Sequence, residues 1–246
     1  MHKEAGLLKV AIHQPNYLPW LGFFNKVSMA DVYVILDSVQ YEKGGFSNRN
    51  KIRTLDYDTG WKWLTVPVKK GGSNNLLKDV EIDNNQQWKK KTCINININY
   101  NKAPFFDEYY DILQDIYNKD LDNLCKLNVN IIYELFKIFK INPKIIYSSE
   151  MNIEEKKSNL ILEICKKLNA TTYISGISGK NYLDIESFKT AGIDIIFQEY
   201  KHPVYRQVYQ PFIPNMSAID LLFNHGLESE NIIKNNKSES EEFIKN

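Results

Sequence analysis

Short apolar runs alternate with helical patterns at the start of the chain. Residues 7–12 (LLKVAI) and 32–36 (VYVIL) have the composition of buried strands. Between them, residues 21–30 carry apolar side chains at intervals of three. Strand, short helix and strand in this order are the βαβ pattern, which predicts two parallel strands joined by a right-handed crossover.

The alternation returns in the second half of the chain. Strands are predicted at 144–147, 171–174 and 194–197. The predicted helices of this half are 149 or 152 to 168, 185–191 and 218–224. Ser217 can cap the last helix and Gly226 can end it, because serine accepts from free N–H groups and glycine adopts left-handed backbone.

The middle of the chain has helical spacing. Helices are predicted at 86–98, 104–117 and 121–141, although period-two alternation at 94–98 allows an extended end. A polar stretch at 38–59, a strand at 61–68 and a short strand at 77–82 precede them. The fold class is therefore α/β, with a parallel sheet and a helical insertion or subdomain at about 86–141. We expect one domain over residues 1–226 and a polar C-terminal tail over 227–246.

Composition limits the possible partners. Thirty-one basic and thirty acidic side chains give a formal charge of +1, whereas a duplex-binding protein needs a basic stripe. We expect no nucleic-acid partner, but two or three local charges would suffice for a small anion. Cys93, Cys125 and Cys165 are too scattered for disulfides or a metal site, and their apolar contexts suggest burial. No apolar run reaches membrane-spanning length, so a cytoplasmic protein without a membrane partner is expected.

Two chemically capable side chains stand at predicted strand ends. His13 follows the first strand and Asp37 follows the second. Ligands of open α/β sheets bind at the carboxyl ends of the strands, so both side chains would face one crevice. His13 can be a general base, a neutral ligand-binding imidazole or a structural histidine. Asp37 can orient His13 or bind substrate, or it can close a turn. We take both as candidate catalytic residues.

Several polar and aromatic residues surround these two in the sequence. The loop after His13 and the polar stretch after Asp37 offer amides, aromatic rings and cations suited to a sugar diphosphate. The substrate-binding candidates from them are Gln14, Asn16, Tyr17, Trp20, Gln40, Lys43, Asn48, Arg49, Asn50 and Lys51. The alternative is a solvated surface loop.

Two later segments add further candidates. SGISGK at 175–180 resembles a glycine-rich anion cradle, although it lacks the P-loop pattern. The aromatic, proline-rich segment 200–214 could stack on a sugar or base, or could simply cover the sheet. Their substrate-binding candidates are Ser175, Gly176, Ser178, Gly179, Lys180, His202, Tyr205 and Gln207. We expect the loops 15–24 and 200–212 to form the walls of one pocket.

These motifs, in this order, resemble the WbqC-like protein family. The quoted blocks are IHQPNYLPWLGFF at 12–24, DVYVILDSVQYEKGGFSNRNKI at 31–52, WLTVPVKK at 63–70, SGISGKNYLD at 175–184, PVYRQ, and MSAIDLLFNHG at 216–226. The first 53 residues are also distantly similar to the nucleotidyltransferase-like fold, which implies a Rossmann-like core. The paired HxGH motif of that superfamily is absent, because Gln14 and Pro15 follow His13.

The resemblance implies a role in surface-polysaccharide precursor synthesis, such as O-antigen biosynthesis. We expect a transferase that moves an acyl or aminoacyl group onto the amine of a nucleotide-linked sugar. The cofactor is unknown; a thioester donor, either coenzyme A or a carrier protein, would fit. The alternatives are an ATP-dependent ligase or nucleotidyltransferase, and a non-catalytic sugar-nucleotide-binding or scaffold protein.

Overall fold

A five-stranded parallel sheet forms the centre of the molecule. The computed structural model describes residues 7–55 and 58–235. The strands of the sheet are β1 (Lys9–His13), β2 (Val32–Ile35), β5 (Lys144–Tyr147), β6 (Thr172–Gly176) and β7 (Asp194–Gln198). Their spatial order is β5-β2-β1-β6-β7, and every neighbouring pair is parallel. The predicted α/β class and the parallel pairing of the first two strands are confirmed.

The central strands are buried on both faces. Val10 and Ala11 of β1 are fully enclosed, and along β2 the side chains alternate between two separate hydrophobic clusters. Val32 and Val34 belong to the smaller cluster, whereas Tyr33 and Ile35 belong to the larger one. A strand covered on both faces has no polar side, and this explains why β1 and β2 appear in the sequence as nearly continuous apolar runs.

The described part of the chain has eight helices, which pack around the sheet in two hydrophobic clusters. They are α1 (Leu21–Ser28), α2 (Trp88–Tyr100), α3 (Phe106–Asn118), α4 (Leu124–Ile138), α5 (Lys157–Lys167), α6 (Ile185–Thr190), α7 (Ala218–His225) and α8 (Ser229–Lys234). The larger hydrophobic cluster joins α1, the helices of the insertion, α7 and α8, whereas the smaller one holds α5 and α6. The insertion therefore shares a core with the sheet.

A two-stranded antiparallel hairpin lies beside the main sheet. It pairs β3 (Arg49–Arg53) with β4 (Trp61–Thr65), in the register Arg49 to Thr65 and Lys51 to Trp63. β4 falls within the predicted strand 61–68. The sequence pattern missed β3, because RNKIR contains only one apolar residue among polar and charged ones. Its burial comes from long-range packing.

Two local predictions differ from the structure. Residues 77–82 do not form a strand but a 3-10 turn at Leu77–Asp79, followed by a single bridge from Ile82 to Val68. The predicted helix 86–98 is confirmed as α2, and its alternating end at 94–98 is helical and not extended. α5 begins only at Lys157, after the left-handed residue Asn152.

The predicted tail is also ordered in its first part. α8 continues the fold to Lys234, and its residue Ile233 is fully buried. The Ile233 carbonyl accepts a hydrogen bond of 2.8 Å from Asn25 on α1. The remainder of the predicted tail, 236–246, lies outside the described residues. Within the described part of the chain, no helix combines the length and apolar composition needed to cross a bilayer.

Candidate functional site

A well-formed cavity lies where the order of the strands reverses. From β1 the chain moves outward through β2 to β5, then returns to the other side of β1 at β6. In open α/β sheets this reversal leaves a crevice at the carboxyl ends of the strands. His13, the last residue of β1, lines a cavity of about 560 Å³ here. The other lining residues are Gln14, Asn16, Trp20, Glu42, Gly45, Phe46, Ser47, Lys51 and Asn215.

Two buried asparagines hold the walls of this cavity together. Asn128 of α4 is fully buried, and its Nδ2 donates 2.7 Å hydrogen bonds to the carbonyls of Pro15 and Ser47. One side chain thus ties the loop after His13 to the loop before β3. Asn50 donates to the carbonyls of Tyr17 and Leu18, at 3.2 Å and 2.7 Å.

The backbone that Asn50 anchors is conformationally strained. Leu18 has a φ of 44°, although its side chain is branched and fully buried. Left-handed backbone at a non-glycine residue costs on the order of 1–3 kcal/mol, and it persists only where the surroundings enforce it. The bond from Asn50 is such a constraint. The loop that carries Gln14 and Asn16 is therefore held rigidly against the hairpin.

His13 exposes an unprotonated nitrogen. Its Nδ1 lies 2.8 Å from the Gln14 carbonyl oxygen, and a carbonyl oxygen can only accept. Nδ1 must therefore carry the proton, which leaves the lone pair of the neutral ring on Nε2. Among the described residues, none hydrogen-bonds to Nε2. The edge of the Phe23 ring packs against the imidazole, with centroids 5.3 Å apart, and fixes its plane.

Burial and a nearby cation keep His13 neutral. Desolvation, and secondly the charge of Lys26, lower the pKa of His13 to about 3, although the bond to Gln14 opposes the shift. Lys26 on α1 is only 4% exposed, and its Nζ donates to the Ile12 carbonyl at 3.2 Å. Burial lowers the pKa of Lys26 to about 7. His13 is thus a hydrogen-bond acceptor at neutral pH.

The remaining polar groups of the cavity are mostly amides with one charge of each sign. Ser47 donates to Oε1 of Gln14 at 3.3 Å, an arrangement that leaves the Gln14 Nε2 donor available to a ligand. Lys51 supplies the cation, with its Nζ 4.0 Å from the centroid of the Trp61 ring. Glu42 supplies the carboxylate. This combination is suited to a polar ligand with both an anionic group and donor groups.

Asp37 does not form the expected pair with His13. Its carboxylate accepts hydrogen bonds from the hydroxyls of Ser148 and Ser149, at 3.0 Å and 2.7 Å, and from the Ser149 N–H at 2.9 Å. Asp37 is buried and is not among the residues that line the cavity. It joins the end of β2 to the turn after β5. The expectation that two neighbouring strand ends would place both side chains in one crevice is thus not met.

The segment 175–180 also lies outside the cavity lining. Ser175 is buried, with its hydroxyl 3.0 Å from the Gly176 carbonyl, and a Cβ on Gly179 would lie 2.0 Å from that hydroxyl oxygen. The close approach of Ser175 thus accounts for glycine at 179 without any anion. Lys180 forms an ion pair with Glu199 at 3.4 Å. Ser178, the remaining candidate, is not part of the lining either.

Tyr205 and Gln207 belong to a buried network around Asp220. Tyr100, Tyr205 and Gln207 donate to this carboxylate at 2.7 to 2.9 Å. Arg53 bonds to Gln207 at 3.1 Å and to several backbone carbonyls. The network fastens the segment after β7 to β3 and α7, which accounts for these polar groups structurally.

The two aromatic loops contact each other through one aromatic ring from each. The edge of Trp20 packs against Tyr200 with centroids 5.3 Å apart, but no residue of 200–212 lines the cavity. His202 lies instead among Tyr200, Tyr205 and Phe212. The pocket expected between these two loops is therefore not formed. The cavity is lined by the first loop, by residues within 42–51 and by Asn215, which lies three residues beyond the second loop.

Four other candidates occupy structural or peripheral positions. Tyr17 is fully buried, with its hydroxyl 2.6 Å from that of Tyr117. Asn48 donates to the Val66 carbonyl at 3.0 Å, and Gln40 donates to the Ser73 carbonyl at 2.9 Å. Lys43 is exposed beside the cavity mouth. None of these four lines the cavity.

Three important residues were missed by sequence reasoning, for different reasons. The sequence held a signal for Lys26, because it is the one charged residue in the mostly apolar helix LGFFNKVS. Phe46 carried a weaker one, as a large apolar residue in a polar stretch. Asn215 carried none, because its position at the cavity depends on packing between segments far apart in sequence. Within the described residues, no cluster of three or more metal-ligating side chains is found.

Comparisons with known proteins agree with the motif pattern. The model of the WbqC-like protein family matches residues 14–232. A protein of Mycobacterium tuberculosis (strain ATCC 25618 / H37Rv), named as uncharacterized protein Rv1507c, is 32% identical over 229 residues. That alignment covers 92% of this chain and 97% of the relative. No solved structure matches the chain significantly.

Proposed function

The chain belongs to the WbqC-like protein family, and we propose that it is a transferase which acylates, or aminoacylates, the amine of a nucleotide-linked amino sugar. The observation that carries this proposal is the unprotonated Nε2 of His13 at a cavity of about 560 Å³. A fixed acceptor beside amide donors and one cation suits a ligand that combines an amine with anionic groups. The resemblance to proteins of surface-polysaccharide synthesis supplies the class of substrate.

The proposed reaction is the attack of a neutral amine on a thioester. Nε2 of His13 would accept a hydrogen bond from one N–H of the amine, and this bond would direct the nitrogen lone pair toward the acyl carbon. The C–N bond forms, the C–S bond breaks, and the departing thiolate takes up the proton lost by the amine. The Gln14 amide would donate to the oxyanion of the tetrahedral intermediate. Coenzyme A or a carrier protein would supply the thioester.

The low pKa of His13 defines its role in this scheme. A base with a pKa of about 3 cannot hold a proton at neutral pH, so His13 would orient the amine rather than store its proton. An anionic substrate near the ring would offset the charge of Lys26 and raise the pKa of His13. The role thus depends on the bound ligand.

Mass spectrometry with purified protein tests the proposal. The protein would be incubated with UDP- and dTDP-linked amino sugars and with acyl or aminoacyl thioesters, and we expect one sugar to gain the mass of the acyl group. His13→Ala should lose this product while keeping the wild-type circular dichroism spectrum. His225→Ala is a matched control, because His225 bonds to the Arg206 carbonyl and does not line the cavity. A His13→Ala variant of wild-type rate would refute the role of His13.

The strand order supports a second candidate. The reversal at β1 is the arrangement in which Rossmann-like folds bind nucleotides, and this would suit an ATP-dependent ligase or a nucleotidyltransferase. Such an enzyme would release pyrophosphate from ATP in a Mg²⁺-dependent reaction with the amino sugar. Pyrophosphate release that requires both substrates would favour this candidate over thioester chemistry.

A further inference from the structure

Three large aromatic side chains are grouped at the mouth of the cavity and remain partly open to solvent. Trp61 and Trp63 of β4 are half-buried, and Phe46 is 51% exposed. The Trp61 and Trp63 rings meet edge to face, with their centroids 5.6 Å apart. The centroid of the Phe46 ring lies 6.0 Å from that of the Trp63 ring. Aromatic side chains that stay accessible together form a surface on which a flat ring can stack.

Two cations lie on the same face of the hairpin. The register pairs Lys51 with Trp63 and Arg49 with Thr65, and side chains two residues apart on a strand share one face. The Arg49 guanidinium lies 4.3 Å from the centroid of the Trp63 ring, and Lys51 Nζ lies 4.0 Å from that of Trp61. Positive charge and aromatic surface therefore alternate across the hairpin.

Arg49 also has an unused donor. Its Nε is buried without a hydrogen-bond partner among the described residues, whereas its Nη2 bonds to the Gly44 carbonyl. A buried guanidinium N–H without an acceptor is destabilising, and an entering phosphate oxygen would supply the missing acceptor.

This surface is continuous with the cavity that holds His13. Lys51 and Phe46 line the cavity, and the same two residues contact Trp61 and Trp63 on the hairpin. A ligand held at His13 therefore passes Lys51 before it reaches the tryptophans. A nucleotide-linked sugar has the same sequence of parts, because a diphosphate joins the sugar to the base.

We propose that the hairpin platform, defined as Phe46, Arg49, Lys51, Trp61 and Trp63, binds the nucleoside diphosphate of the substrate. The base stacks on Phe46 and Trp63, the diphosphate lies between Arg49 and Lys51, and the sugar enters the cavity. The inference rests on the proposed function for its substrate class. Stacking accepts any base, because every base presents a π face.

Calorimetric titration with UDP and with inorganic pyrophosphate tests the platform. Trp63→Leu keeps an apolar side chain but removes the ring, and we expect it to weaken UDP binding by about 5- to 150-fold. Pyrophosphate binding should be unchanged in this variant. Lys51→Met should weaken both ligands, because the diphosphate loses a cation. Lys62→Met is the matched control: Lys62 points to Asn95 on α2, so both affinities should stay at the wild-type value.

The outcomes separate the platform from the proposed function. Wild-type UDP affinity in Trp63→Leu, or no UDP binding by the wild type, would overturn the platform. A uridine oligomer without a diphosphate that binds equally well and depends equally on Trp63 would assign the surface to single-stranded nucleic acid and would also overturn it. The expected pattern of UDP affinities without any acylated sugar in the mass spectra would refute the transferase while leaving the platform intact.

Discussion

Lys26→Met is the substitution that tests the electrostatics of the site most directly. Lys26 is only 4% exposed, and its ammonium makes one hydrogen bond, to the Ile12 carbonyl at 3.2 Å. No carboxylate in the described part of the chain forms an ion pair with it. Methionine fills nearly the same volume without charge, so the variant should fold, and it should be more stable than the wild type at pH 7.

The size of the effect follows from the pKa of Lys26, which burial lowers from 10.5 to about 7. Between these two values the unfolded chain binds a proton that the folded chain does not, so the folded state gains stability as pH rises. This gain in stability is complete above pH 10.5, where Lys26 is neutral in both the folded and the unfolded chain, and it is lost as pH falls to 7. Integrated from pH 7 to pH 9, the gain is about 2 kcal/mol for the wild type and absent from the variant.

Urea denaturation of both proteins at pH 7, 8 and 9 measures this difference. The stability advantage of Lys26→Met should be about 4 kcal/mol at pH 7, less the lost hydrogen bond, and should shrink by about 2 kcal/mol at pH 9. Lys62→Met, in which a lysine bonded to Asn95 is replaced, controls for the loss of one positive charge elsewhere in the molecule. An advantage that does not change with pH, or a variant less stable than the wild type at pH 7, would refute the reasoning.

Three further predictions concern the residues around the cavity. Asn128→Ala removes both hydrogen bonds between the walls and should cost roughly 1–3 kcal/mol in urea denaturation, together with weaker ligand binding. Asp37→Asn should also cost about 1–3 kcal/mol, yet leave the ¹⁵N shifts of His13 unchanged, because its partners are Ser148 and Ser149. Between pH 6 and pH 4, unfolded His13 binds a proton that folded His13, with a pKa of about 3, does not bind, so acid lowers the free energy of unfolding of the wild type. In His13→Gln this free energy should fall less steeply, by about 1.4 kcal/mol per pH unit. A shifted His13 resonance in Asp37→Asn, or an unchanged acid slope in His13→Gln, would contradict the corresponding assignment.

The regular elements of the main sheet were predictable because their signals are local. Lys144–Tyr147 forms the strand predicted at 144–147, and Ser217 caps α7 as expected by accepting from the Ile219 N–H at 3.4 Å. In both cases the residues next to one another in the chain decide the structure. β3 was not predictable in this way, because it pairs with β4 and its Lys51 carbonyl accepts a hydrogen bond from the distant Ser217 N–H.

The candidate site was predictable only in part. His13 stands at the end of β1 because a buried apolar run stops there, and the neighbouring Gln14, Asn16 and Trp20 come with it. Asp37 also follows a strand, but its side chain turns to Ser148 and Ser149. Sequence position locates a residue at the edge of a sheet, whereas the hydrogen-bond partners available there decide which way its side chain points.

The class of fold and the first wall of the cavity could be inferred from the sequence, since both depend on hydrophobic periodicity and on residues adjacent in the chain. The tertiary structure decided the rest. It brought Phe46 and Asn215 to the cavity, separated the glycine-rich segment from it, and buried Lys26 close enough to lower the pKa of His13. Desolvation and long-range charge act through space and not along the chain, so no local pattern reveals them.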